Sequence, residues 1–363
     1  MDDRVVARWR LHTLRLHGQT YPSPAAVVDG LLGVQAENHP QASWAVATRT
    51  PGITEAEVAK QFDDGVILRT HVLRSTWHFV RPHDIRWLVE LTAPRVRKTY
   101  VQVQRANDLD DATVEASAEV IVAALSGGDH LTRDEMGERL RDAGFPAEGQ
   151  KLGVMLANAE LEALICSGVM RDGQHTHALI DERAPNARRL DRDDALAEIV
   201  LRYFTGHGPA TERDLAYWAT LTLTDVRTGL KAVSDQLDHV EHDGRTYWFG
   251  EPPPDDGPYE PRAHLLQYLD EYHNGYQDSR YVLDVAGIVP RGRPVSVGMV
   301  LVDGQMVGGM RRTVGATQVK FELNLFRDLA ADERDAIDEA ADRYSAFLGL
   351  SPEVVTDRTT RGG

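Results

Sequence analysis

One order of local signals occurs twice in this chain, over residues 131–180 and again over 190–249, and a repeat of that kind leaves few folds open. In the first copy Leu131-Thr132-Arg133-Asp134-Glu135 supplies a threonine N-cap with a carboxylate three residues on. The capped helix is predicted to reach Gly144. A longer helix over 150–165 follows, and then apolar segments at 169–171 and 174–180 flank Asp172-Gly173. The second copy has a helix over 190–204, the cap Ala210-Thr211-Glu212-Arg213-Asp214 opening a helix through Trp218, a Thr222 cap before 223–233, and segments 239–242 and 245–249 around Asp243-Gly244. Capping boxes fix where helices start, and Asp-Gly between alternating apolar segments is a strong hairpin signal. Cap, helix, cap, helix, hairpin is the order of a winged helix, so the repeat predicts tandem winged-helix (helix-turn-helix) units in a mostly α, α+β fold.

The N-terminal third fits a further unit. Helical spacing covers 4–17 up to Gly18, and Ser23-Pro24 caps a helix predicted to run to the Gln35 region. A third helix is predicted over 41–48 with Trp44 in the core, and Thr54-Glu55-Ala56-Glu57 opens a fourth. The β-branched and aromatic segments 66–73 and 75–80 then give two short strands bending at Arg74. Helices follow from Pro82-His83-Asp84 and over 110–125. Glu251-Pro252-Pro253-Pro254-Asp255-Asp256-Gly257-Pro258 has the composition of a linker. Beyond it, 295–325 holds at least three strands, and an acidic amphipathic helix over 328–348 is expected to lie on them. The resulting units are 1–106, 107–185, 186–250 and a β-rich part over 258–363.

The net charge of −16 argues against a polyanionic partner until its distribution is considered. Between residues 69 and 105 there are eight Arg and Lys against two carboxylates, a basic segment on an acidic body. No apolar run is long enough to span a membrane, Met1-Asp2-Asp3-Arg4 lacks a signal-peptide pattern, and the expectation is a cytoplasmic protein. The single cysteine, Cys166, sits among Leu164, Ile165 and Val169 and is expected as a buried small hydrophobe.

Chemistry concentrates in Leu32-Gly33-Val34-Gln35-Ala36-Glu37-Asn38-His39-Pro40. A carboxylate at the lip of a helix can take a proton from water while a neighbouring amide positions that water; the competing role is capping the helix end. The second-copy helix at 223–231 offers only Arg227 and Lys231, and the first-copy helix only Lys151, too few groups to read a major groove. The working part is therefore Gln35 and Glu37, with Arg69, Arg74, Arg95, Arg97 and Lys98 as phosphate contacts. His78, alternating between Trp77 and Phe79, is a candidate for the channel or for the core. Tyr276 and Arg280 are candidates for the opposite wall, with an Asp278 to Arg280 pair as the alternative. His175 and His177 share one strand face, expected to meet solvent. His264, Asp270, Glu271 and His273 lack compact metal-ligand spacing, and no Walker or Rossmann fingerprint is present, so no metal or nucleotide cofactor is expected.

Four stretches together resemble the tandem winged-helix DNA glycosylases of the AlkZ and YcaQ type: residues 32–37, Leu68-Arg69-Thr70-His71-Val72-Leu73-Arg74-Ser75-Thr76-Trp77-His78-Phe79-Val80, Gly208-Pro209-Ala210-Thr211 to Trp218, and Leu269-Asp270-Glu271-Tyr272 to Asp278-Ser279-Arg280. The resemblance covers nearly the whole chain. It implies three winged-helix units and a β-rich C-terminal part wrapped into a C-shaped clamp on double-stranded DNA. It further implies hydrolysis of the N-glycosidic bond of N7-alkylated purines, in some members as crosslinks. The family's catalytic pair is Gln-apolar-Gln or Gln-apolar-Asp, which falls here on Gln35 and Glu37, so the second position departs from both patterns. A carboxylate there keeps the chemistry of the aspartate, one methylene further out. A non-catalytic DNA-binding regulator using the same clamp, and a protein-interaction scaffold, are the alternatives. Orientation separates them: a glycosylase needs Glu37 facing the channel.

Overall fold

The computed structural model describes residues 2–254, 262–292 and 298–358. Helix starts follow the caps. Ser23 accepts a hydrogen bond from the Ala26 amide with Pro24 in the first helical position, and Thr54, Thr132, Thr211 and Thr222 each close a capping box. Helix ends do not follow the apolar pattern. The helix Pro24–Gly30 stops well short of Gln35, because Leu32 turns to φ 61° with its side chain fully buried. A left-handed leucine costs roughly 1–2 kcal/mol, and its full burial offsets a comparable amount. Gly149–Leu161 likewise ends before Ala163, at φ 54° and buried. Asp3–Thr13 ends before Arg15, at φ 56°.

Gln35 therefore belongs to a strand rather than a helix end. β1 (Val34–Gln35), β2 (Leu68–His71) and β3 (Trp77–Val80) form one sheet in the order β1-β3-β2, with Gln35 opposite His78 and His71 opposite Trp77. The first predicted hairpin is also rearranged. Arg171 and Gln174 form only an isolated bridge across Asp172-Gly173, while Thr176–Leu179 pairs with Ile165–Ser167 and Leu131–Thr132 on either side. Ile165, the expected end of the longer helix, instead opens the strand; Cys166 beside it is fully buried, as expected of a small hydrophobe, which pushes its thiol up to about 12. The second hairpin, Asp238–His242 with Arg245–Phe249, matches its prediction.

The C-terminal sheet runs Ser351–Arg358, Gln318–Leu325, Gln305–Val314, Gly298–Val302, Ala263–Leu266, and its outermost strand is parallel to its neighbour. Ala331–Leu348 packs on it, as its amphipathic pattern requires. Trp44 stacks on Tyr344 at 4.0 Å and donates to the Leu265 carbonyl (2.8 Å), so the third helix, His39–Ala47, shares a core with this sheet. Linker residues 255–258 lie outside the described residues.

Buried acids tie the late chain to the early chain. Asp270 makes a two-pronged pair with Arg49 (2.9 and 2.8 Å), and the Tyr272 hydroxyl donates to the carbonyls of Ala7 and Gly304. Asp214 accepts from the amides of Thr211, Gln277 and Ser279. Two of the four stretches behind the family resemblance thus hold the molecule together.

Candidate active site

The segment after β1 is fixed on both sides. The Ala36 amide donates to the Trp77 carbonyl (2.7 Å), and Arg69 Nε donates to the Ala36 carbonyl (2.9 Å). The next residue, Glu37, is exposed, and among the described residues nothing hydrogen-bonds its carboxylate. It lies on the lining of a pocket of about 720 Å³ between the first sheet and the helix Gly149–Leu161. That volume lies within the range of ligand sites, roughly 300–1,000 Å³.

Trp77 and Tyr100 give the pocket aromatic surface. The Arg69 guanidinium sits 4.3 Å from the Trp77 ring. Burial pulls Arg69 down to about 10 against the attraction of Glu160 and Glu37, so it remains a cation at neutral pH. Glu160 is a second carboxylate of the pocket, almost wholly buried. It accepts from the His71 amide (3.0 Å), from Trp77 Nε1 (3.3 Å) and pairs with His71 Nδ1, with His177 at 3.8 Å. Burial raises its pKa, but His71 and His177 outweigh that and hold it below the usual range, so it stays an anion. The Trp77 ring is packed between Arg69 and His71 (4.2 Å), Arg69 and Arg133 balance the two carboxylates of the lining, and Glu37 is the carboxylate left free to take a proton.

Gln35 does not share this lining. Its Nε2 donates to Thr76 Oγ1 (3.3 Å), its Oε1 accepts from Arg74 (3.1 Å), and its amide donates to Glu271 (3.1 Å). Glu271 also accepts from Trp218 Nε1 (2.8 Å) and pairs with His207 Nε2 (3.2 Å). Burial pushes Glu271 up, and the bond from His207 with the charge of Arg74 brings it down to about 2. This network fixes Gln35 in the wall of the fold.

Several predicted site residues are placed elsewhere. His78 is fully buried, contacting the Thr76 carbonyl (3.0 Å) and Arg74 (3.3 Å), and burial beside Arg74 lowers it to about 3. Strand alternation turns Trp77 to the pocket and His78 into the packed side. Tyr276 is fully buried against Arg10 and donates to the His207 carbonyl (2.7 Å), so it forms no channel wall. Arg280 bonds the carbonyls of His273 and Tyr276, and Asp278 pairs with Arg245 (3.4 Å) rather than Arg280. Arg74 bonds the Asn274 carbonyl (2.9 Å), which leaves it committed internally. In the basic segment Arg97 pairs with Glu162 (2.6 Å), while Arg95 and Lys98 are exposed. His175 and His177 do share a face, but it lines the pocket instead of meeting solvent.

His71 and Glu160 had not been singled out from the sequence. A lone carboxylate inside Val154-Met155-Leu156-Ala157-Asn158-Ala159-Glu160-Leu161 was the available signal, since an unpaired buried charge is costly. Among the described residues Asp29, His83 and Asp84 could converge on a metal ion, but Asp84 already accepts from Trp87, Arg188 and Arg202.

The chain belongs to the AlkZ-like DNA glycosylase family, whose pattern matches residues 28–347, as the four sequence stretches implied. It is similar to the interstrand DNA cross-link repair glycosylase of Streptomyces sahachiroi, with 28% identity over 252 residues, 67% of this chain and 68% of that protein. The solved structure of the S. sahachiroi DNA glycosylase AlkZ has the same fold, with a TM-score of 0.80 at 23% identity over 98% of this chain and 100% of that one.

Proposed function

We propose that the 720 Å³ pocket hydrolyses the N-glycosidic bond of N7-alkylated purines in duplex DNA, including purines joined in an interstrand crosslink. The observation that carries this is the unpartnered Glu37 carboxylate on the lining of a pocket walled by Trp77. An N7-alkylated purine is cationic, so it leaves without a general acid. Water adds through oxygen to C1′ as the C1′–N9 bond breaks. The bonding pair neutralises the base, and the water proton passes to Glu37. Glu160 contributes a fixed negative charge near the departing cation and the developing positive sugar. Gln35, held by Arg74 and Thr76, fixes the strand that carries Glu37 rather than holding water itself.

Helix-helix-strand successions at 111–179 and 192–249 support a reading of the chain as tandem winged helices with boundaries near 106, 185 and 250, closing as a clamp on DNA. Exposed Arg95 and Lys98 then contact phosphate. A purely binding protein would have no use for a free carboxylate facing a base-sized pocket.

The test is release of N7-methylguanine from alkylated duplex and unhooking of a purine-purine crosslink. Glu37→Gln lowers single-turnover release at least a hundredfold, with duplex affinity unchanged. Full release by Glu37→Gln would remove the carboxylate from the mechanism, and absence of release by the wild type on either substrate would leave a binding protein.

A further inference from the structure

A second pocket, of about 200 Å³, lies between the loop at 15–20, the end of the helix His39–Ala47, the strand Ala263–Leu266 and the helix Ala331–Leu348. It shares no lining residue with the larger pocket. Its charged lining consists of Arg15, Arg262 and Arg343, with His264 and the aromatic faces of Trp44 and Phe347. No carboxylate is among the described lining residues, in a chain where Asp and Glu outnumber Lys and Arg 56 to 40.

The arginines are unequally neutralised. Arg15 pairs with Glu251 at 2.5 Å. Arg343 donates to the Ala263 carbonyl (2.9 Å) and has no close ion pair, the carboxylates acting on it being Glu339 at 3.9 Å and Asp342. The guanidinium of Arg262 has no hydrogen bond or ion pair among the described residues. Independently, His264 is 4% exposed and its Nε2 has no hydrogen-bond partner. A buried ring nitrogen left unpaired costs free energy unless a ligand completes it. The groups acting on His264 share one sign: besides burial, Arg343, Arg262, Arg49 and His17 all disfavour its protonation. Arg343 is in turn lowered by burial and by Arg262, which outweigh Glu339 and Asp342. Like charges held together around an unsatisfied nitrogen are the converse of a stabilising design, and they fit a site that is complete only when an anion occupies it.

We propose that this pocket is a phosphate-binding site, in which Arg262 and Arg343 hold the oxygens and His264 Nε2 supplies the inner hydrogen bond, separate from the glycosylase pocket. Guanidinium forks match phosphate geometry in pairs, and the volume admits one phosphate with a small substituent against Trp44. The phosphate is either a free or terminal one or a backbone phosphate of the DNA strand, and the two sources separate experimentally.

The test compares wild type, Arg262→Gln and Arg343→Gln. Both side chains reach solvent, and a cooperative melting transition in chloride checks that each variant folds. Melting is followed with sodium phosphate against sodium chloride at matched ionic strength, and affinity is measured for an unmodified duplex without terminal phosphates. Millimolar phosphate that raises the melting temperature of the wild type, with the apparent affinity weakened about tenfold or more in either variant, supports a free or terminal phosphate. No phosphate effect, but a duplex affinity lowered several-fold in both variants at fixed salt, supports a backbone phosphate. Equal behaviour of all three proteins in both measurements overturns the site.

Discussion

Glu271 illustrates how one side chain can serve a site it does not line. It is fully buried, yet it receives the Gln35 amide, Trp218 and His207, which lie on three separate elements. Its folded pKa of about 2 lies below the ordinary glutamate value of 4.5. A depressed carboxylate favours the folded state above its unfolded pKa, and that contribution fades as pH falls from about 4.5 to about 2. The difference corresponds to roughly 3 kcal/mol at neutral pH. Glu271→Gln is therefore expected to lose about that much stability in urea denaturation at pH 7. The gap to the wild type narrows as the pH is brought below 4.5, whereas a gap unchanged at pH 3 would mean that the carboxylate's charge is not what matters. The variant keeps one oxygen for the three groups that now share two, so either the Gln35 amide or the Trp218 indole loses its acceptor, and glycosylase activity falls as well, through positioning rather than chemistry.

At the scale of elements, what was legible in the sequence was what local chemistry decides. Capping residues placed the starts of helices at Pro24, Glu55, Arg133, Glu212 and Leu223, and Asp243-Gly244 placed a hairpin. What was not legible depended on burial by distant segments. Leu32 and Ala163 adopt positive φ because tertiary packing outweighs their backbone preference, and past those two turns Gln35 and Ile165 lie in strands rather than at helix ends. The outer strand Ser351–Arg358 was missed because a parallel edge strand has no turn signal to announce it. Glu37 stood out in the sequence as a free carboxylate, whereas Arg69, expected as a phosphate contact, is buried against the Ala36 carbonyl, and the pairing of His71 with Glu160, 89 residues apart, required the fold. Gly229 carries the same lesson in a form that can be measured. A Cβ there would stand 2.3 Å from the Leu196 carbonyl and 2.6 Å from Val200, so the helices Arg192–His207 and Leu223–Val233 meet at a distance only glycine allows. Gly229→Ala should gain about 1 kcal/mol of helix propensity but lose more to overpacking, for a net destabilisation of about 1–3 kcal/mol in denaturant midpoint. A stabilised variant would mean that the two helices can move apart freely.

For the whole molecule the question is how an acidic protein holds a polyanion. The basic segment at 69–105 is largely consumed internally: Arg69 and Arg74 bond carbonyls, Arg81 bonds the Val66 carbonyl, Arg86 pairs with Asp181, and Arg97 pairs with Glu162. Arg95, Lys98 and Arg105 are exposed, on one helix, Ile85–Ala106, whose residue Tyr100 also lines the pocket. On the proposed reading these cations contact phosphate beside the pocket, while the net acidic remainder of the surface repels DNA in other orientations. Binding should then depend on few phosphate contacts, with a shallow slope of log affinity against log salt. Each neutralised cation at this surface removes roughly 0.9 from that slope on B-DNA. The double variant Arg95→Gln, Lys98→Gln should therefore flatten the slope by about 2 and weaken duplex affinity at low salt, leaving the single-turnover rate on saturating substrate unchanged. Neutralising two exposed arginines far from the pocket, Arg227 and Arg327, provides the comparison. If that pair flattens the slope as much, DNA lies across a different face and the helix Ile85–Ala106 is only a wall of the pocket.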